Sequence, residues 1–262
     1  MTPPYRSPRL QILVRSCLGL LFCLLLSLKA AAQYTYIVPV AGQAVGFRSQ
    51  YGTKISALNP NATSATLRYE AFYPASGDNS CLLPDFIQVI PPKTMAGLGQ
   101  ACFFLHALVL TSDQPLLVMA DIYSITDPIG RDLLFRLQPV EVATSWIAPG
   151  VESTIPNVIM VDPSDKANIV IVNPNDFILT VAMHVARAEL EESADVTLTV
   201  PARSVLMTAV KAFPTPVIPS GTLRSYDGLH QITLRANGKL SAGVSNEFYG
   251  SQVFRGAVPL QH

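Results

Sequence analysis

Histidines, cysteines, paired carboxylates and glycine-flanked serines carry most protein chemistry, and this chain of 262 residues holds them thinly. Its histidines, His106, His184, His230 and His262, stand far apart. None falls in an H-E-x-x-H, an H-x-H or a Cys-x-x-Cys setting, so no zinc site is spelled out. His184 lies in a strand-like stretch and is expected to be an ordinary surface or hydrogen-bonded sheet residue. No G-x-S-x-G occurs, and Ser76-Gly77 and Ser220-Gly221 suit turns. Gly97-Leu98-Gly99-Gln100-Ala101 is too short for a dinucleotide loop and lacks the strand-to-helix setting. Asp121 with Asp127, and Asp162 with Asp165, fall short of the roughly six to eight oxygens that calcium takes. Asp127-Pro128 and Asp162-Pro163 are ordinary turns. No catalytic, cofactor-binding or metal-ligating residue is therefore expected, no cofactor is implied, and the chain is expected not to be an enzyme.

Aromatic platforms for carbohydrate are equally thin. Trp146, the sole tryptophan, suits packing between domains. Tyr34, Tyr36 and Tyr51 could form a platform, or the inner face of a first strand. Asn61-Ala62-Thr63 fits the N-glycosylation pattern on a turn.

The elements that must position these residues begin after a leader. Residues 1–32 contain Arg6, Arg9, Arg15 and Lys29 and no acidic residue, an apolar stretch over Leu18 to Leu28, and Ala30-Ala31-Ala32 before Gln33. A basic start, a short apolar core and small residues at the cut make a secretory signal. The apolar run is about half of the roughly 20 residues that span a bilayer, so no transmembrane anchor is expected in the mature chain. Cys17 and Cys23 lie within the leader. That leaves Cys81 and Cys102, an even pair in an exported chain, read first as a disulfide and otherwise as two buried thiols. The bridge would close a loop of about 20 residues and contribute roughly 3 kcal/mol in the chain-entropy model.

Four of the 18 basic residues lie in the leader, so the remainder carries 14 basic against 18 acidic residues, a net charge of −4. That balance argues against nucleic acid and against an anionic membrane surface as partners. Proline is frequent, with 21 residues, which favours many short elements and turns over long helices.

The chain also repeats itself. Ile55-Ser56-Ala57-Leu58-Asn59-Pro60-Asn61 is echoed by Ile169-Val170-Ile171-Val172-Asn173-Pro174-Asn175, an offset of 114. Strand-like stretches follow both, over Ala65 to Tyr73 and Leu179 to Val185. Val89-Ile90-Pro91-Pro92-Lys93 then matches Thr199-Val200-Pro201-Ala202-Arg203, and Leu116 to Tyr123 matches Leu240 to Phe248. Phe135-Arg136 and Phe254-Arg255 close the series. Asn-Pro-Asn favours a turn, because the residue before proline is extended and asparagine tolerates left-handed φ. Alternation such as Val196, Leu198, Val200 against Thr197 and Thr199 predicts half-buried strands.

Strand, Asn-Pro turn, strand and then an apolar–proline corner resembles the immunoglobulin-like or fibronectin-like modules of secreted bacterial proteins. The resemblance implies an all-β chain of two tandem β-sandwich domains, 33–143 and 151–262, joined by a linker at 144–150 behind the signal peptide 1–32. It implies no single activity. The function expected is an exported, non-enzymatic binding or structural assembly protein of the periplasm, cell surface or medium, with protein partners or self-assembly. The alternatives are a periplasmic pilus-type assembly chaperone and a secreted hydrolase.

Overall fold

A computed structural model describes residues 33–45, 50–75, 86–98, 106–125, 138–159, 166–187, 193–211, 229–248 and 251–260. The leader 1–32, Cys81 and Cys102, and the Asp127, Asp162 and Asp165 turns lie outside these residues. Alternating and β-branched runs between proline and asparagine turns favour short strands, and the described residues hold eighteen strands and no helix. The first nine are β1 (Tyr34–Ala41), β2 (Gln43–Val45), β3 (Gln50–Leu58), β4 (Ala65–Phe72), β5 (Ile87–Ile90), β6 (Met95–Leu98), β7 (His106–Ser112), β8 (Leu117–Ile125) and β9 (Gln138–Val140). The others are β10 (Ser153–Ile159), β11 (Lys166–Asn173), β12 (Leu179–Arg187), β13 (Ser193–Val200), β14 (Ser204–Lys211), β15 (Leu229–Ala236), β16 (Ser241–Phe248), β17 (Ser251–Gly256) and β18 (Val258–Pro259).

All named strand pairings are antiparallel and build four sheets, none mixing strands from the two halves of the chain. The first half forms β1-β7-β4-β5 and β6-β3-β8-β9; the second forms β18-β10-β15-β12-β13 and β14-β11-β16-β17. Apart from β18, which extends only the second half, the order is the same strand for strand. One local difference is that β2 and β6 share an edge of β3 end to end, pairing with Gly52–Gln50 and Leu58–Ile55. In the second half β14 alone covers that edge of β11, from Lys166 to Asn173. Registers place Ile55 and Ile169 in equivalent positions, since they pair with Ala120 and Val244. By the same registers Pro139 on β9 matches Phe254 on β17, so the Phe-Arg echo in the sequence is out of structural register.

Successive side chains of a strand face opposite ways, so a strand buried at every position must be covered on both faces. Ile169, Val170, Ile171 and Val172 of β11 are all fully buried. Ile169 and Ile171 join the core of the second half with Leu179, Val181, Ile232 and Leu234. Val170 and Val172, with Val205 and Met207, join the core of the first half. On the other side, Ile37, Val109, Ala107 and Phe72 occupy the opposite face of the β1-β7-β4 sheet from Leu108 and Leu110, and all are buried. The four sheets thus stack in layers, with β1-β7-β4-β5 and β14-β11-β16-β17 as the two inner ones. Residues 33–262 form one compact unit.

The connecting segment is tied to both halves. Ala143 exchanges two backbone hydrogen bonds with Ile37, and Ile147 exchanges two with Leu240. Trp146, between them, packs half-buried against the first core, which includes Val170 and Val172.

Candidate functional site

Two features of the sequence that lie some 30 residues apart meet in space, once in each half. The Asn59 side chain is fully buried where β3 ends. Its Nδ2 donates to the carbonyl oxygens of Thr63 at 2.9 Å, Ile90 at 2.9 Å and Pro91 at 3.1 Å. Its Oδ1 accepts from the backbone N–H and the Nδ2 of Asn61, at 3.0 and 2.8 Å. Asn61 in turn donates to the Pro115 carbonyl at 2.7 Å. Asn173 repeats every contact: Nδ2 to the carbonyls of Phe177, Val200 and Pro201 at 2.9, 3.0 and 2.7 Å, and Oδ1 from Asn175 at 2.9 and 2.7 Å. Asn175 reaches the Lys239 carbonyl at 2.8 Å. The Asn-Pro-Asn turn is therefore a polar latch on the proline corner, and it satisfies carbonyls that burial would otherwise leave unpaired. The amide of Asn61, the sequon asparagine, is committed to this latch.

The corner itself needs an unusual backbone. Lys93 and Arg203 are the only non-glycine residues with positive φ among those described, at 56° and 52°. Both side chains fold back on the turn: Lys93 Nζ donates to the Pro60 carbonyl, and Arg203 Nη1 donates to the Pro174 carbonyl at 2.9 Å. Beyond that the copies diverge. Lys93 is exposed, whereas Arg203 reaches the other half of the chain, pairing with Glu70 and lying 5.0 Å from the centre of the Phe72 ring. Beside it the Val205 N–H donates to the Tyr73 carbonyl at 3.2 Å. Across the seam the Gly256 N–H donates to Glu141 Oε2 at 2.9 Å.

The sequence candidates for chemistry are scattered by this fold. His106 and His230 occupy equivalent places at the starts of β7 and β15, and both are buried; an offset of 124 is the signal by which the sequence could have paired them. His184 Nδ1 lies 2.7 Å from Asp195 Oδ1, its cross-strand neighbour on β13, on an exposed face. Tyr36 points into the first core, and its hydroxyl accepts from the Leu116 N–H at 2.6 Å. Burial raises its pKa above the usual tyrosine range, the Leu116 contact opposes this, and nearby Tyr34 adds to it. Tyr69, also buried, is pushed up to about 12 by desolvation. Gly97 belongs to strand β6 rather than to a phosphate loop. Among the described residues no group of three or more His, Cys, Asp or Glu is placed to hold a metal ion, and no helix is long and apolar enough to cross a membrane.

What the fold does present is apolar surface. Among the described residues β5 is the end strand of its sheet, and Phe86, Ile87 and Val89 are each more than half exposed there. Phe86 also leans on Tyr69, ring centres 5.4 Å apart. The equivalent strand β13 carries Thr197 and Thr199 where β5 carries Ile87 and Val89. Comparison with protein-family models, with curated proteins and with solved structures finds no match for this chain.

Proposed function

We propose that this chain is an exported, non-enzymatic binding or assembly protein of the cell exterior, built as two tandem immunoglobulin-like β-sandwich domains, 33–143 and 151–262, behind a removable leader. In support of the immunoglobulin-like assignment, β3 beside β6 and β4 beside β7 reproduce the B–E and C–F pairings of that fold. The first and last long strands differ: β1 lies beside β7 and not beside β3, and β8 lies beside β3 and not beside β7.

The observation that carries the functional assignment is β5. An end strand with exposed Ile87 and Val89 offers backbone groups for a partner's strand and apolar side chains to grip it. Natural sheets usually protect such an edge with charge or proline, and β5 has neither within its four residues. The test is a photo-cross-linking residue at position 87 in the native envelope, followed by mass spectrometry of the adduct. A discrete protein adduct that disappears when Val89 is changed to lysine supports binding through β5. Absence of any adduct, or an enzymatic turnover abolished by one substitution elsewhere, overturns the assignment.

A further inference from the structure

The outer face of the β6-β3-β8 sheet carries a second apolar surface, and the duplication says how such a face is used. Registers place Met95, Leu58 and Leu117 in one row across the three strands, and Gly97, Ser56 and Met119 in the next. The equivalent rows of the second half are Val205, Val172 and Ser241, then Met207, Val170 and Gly243. There Val170, Val172 and Val205 are buried and pack into the core of the first half. In the first half these rows face solvent at Met95, which is 65 % exposed, Leu117, 57 %, and Met119, 43 %, while Leu58 and Ser56 are half-buried.

The opposite end of the stack is finished differently. Thr154, Thr233 and His184 stand where the first half has Ile37, Val109 and Glu70, and Gln231 stands where it has Ala107. That polar face cannot supply the apolar mate that Met95, Leu117 and Met119 lack, so an open head-to-tail polymer is disfavoured. A mate this chain possesses is the same face on another copy, which gives a closed two-fold contact.

We propose that two copies of this chain associate face to face through the β6-β3-β8 sheet. This deepens the assembly function proposed above by naming the partner. The third row supports the symmetry: Lys54 on β3 pairs in register with Asp121 on β8, on the same face. A two-fold axis running along the strands between β3 and β8 sets Leu58 over the second copy's Leu117 and Ser56 over its Met119. It also sets Lys54 over the second copy's Asp121, so the only charged row becomes self-complementary. With β9 at the edge, the strands β6, β3, β8 and β9 hold four, nine, nine and three residues, and at about 4.8 Å between strands and about 3.3 Å per residue their face is on the order of 400 Å² per copy. That is below the size of stable interfaces, so the association is weak and depends on concentration.

The purified protein is examined by analytical ultracentrifugation from roughly 10 µM to 1 mM, a span suited to a weak association. The expected result is a monomer–dimer equilibrium, weakened at least about tenfold in Leu117→Glu/Met119→Glu, whose exposed substitutions leave the melting transition in place. With a short bismaleimide cross-linker, Ser56→Cys at the centre of the face is expected to give a covalent dimer, and Thr233→Cys on the polar outer face to give none. A monomer at every concentration overturns the proposal, as does a dimer indifferent to the Glu pair. A monomer that still forms the position-87 adduct sinks the dimer while leaving the β5 assignment standing.

Discussion

Replacing Asn173 by alanine removes five hydrogen bonds from one fully buried side chain. The Val200 carbonyl loses its amide partner in a buried setting, at a cost of about 1–3 kcal/mol. The Phe177 and Pro201 contacts are only partly buried and water replaces them in part, and the Asn175 turn loses its acceptor, for about 1–2 kcal/mol more. The expected loss is about 2–5 kcal/mol, a large share of the roughly 5–15 kcal/mol that a natural fold has in total. Urea unfolding followed by fluorescence reads it directly, because Trp146 is the sole tryptophan and packs at the seam. Asn59→Ala is expected to match within about 1 kcal/mol, the contact set being the same. Asn173→Asp sharpens the test, since a carboxylate there faces three carbonyl oxygens and cannot donate. Its folded pKa is therefore raised, so stability is greatest at low pH, where the protonated acid donates one bond, and falls as pH rises through the folded pKa. A loss below about 1 kcal/mol in Asn173→Ala, or an aspartate variant without pH dependence, would refute the latch as a stabilising unit.

Three further outcomes follow from named contacts. Lys93→Gly is expected to raise the unfolding free energy by up to about 1 kcal/mol, read as a higher urea midpoint, because glycine relieves the left-handed φ and the lost Nζ contact is exposed; a lower midpoint counts against this. Arg203→Gly has the same backbone benefit but loses Glu70 and Phe72, so it is expected to lower stability by about 1 kcal/mol or less, with a smaller loss in high salt. Tyr69, with a folded pKa of about 12 against an ordinary 10.0, contributes stability that is fully present below pH 10 and lost as pH rises toward 12. That alkaline loss is on the order of 3 kcal/mol, and Tyr69→Phe is expected to flatten it in pH-dependent unfolding.

The all-β class and the repeat were legible because period-two alternation and proline turns are local. Asn-Pro-Asn and the Ile-Pro-Pro-Lys corner could each be matched to a second copy by eye. Their union could not, because Asn59 and Ile90 are brought together only by the pairing of β4 with β5 and the return of the chain to β6. Val196 shows the same limit: alternation marked it as half-buried, but β13 is an end strand and leaves it 40 % exposed. Ile-Val-Ile-Val at 169–172 shows that both faces are covered, yet not that the second cover is a sheet of the other half. The disulfide assignment of Cys81 and Cys102 rests on the sequence, as both lie outside the described residues. Surface function was the least legible, since exposed Met95 and buried Val205 occupy equivalent sites and differ only in what stacks on them.

The seam also bears on how the chain is made. Synthesis delivers the N-terminal half first, and for that interval Ile37, Val109 and Phe72 lack the strands that cover them, which begin only at Lys166. A translation product truncated near residue 150 would therefore carry a bare apolar sheet and behave as an aggregation-prone species. Premature stop codons in the second half are expected to yield degraded protein instead of a working half-molecule.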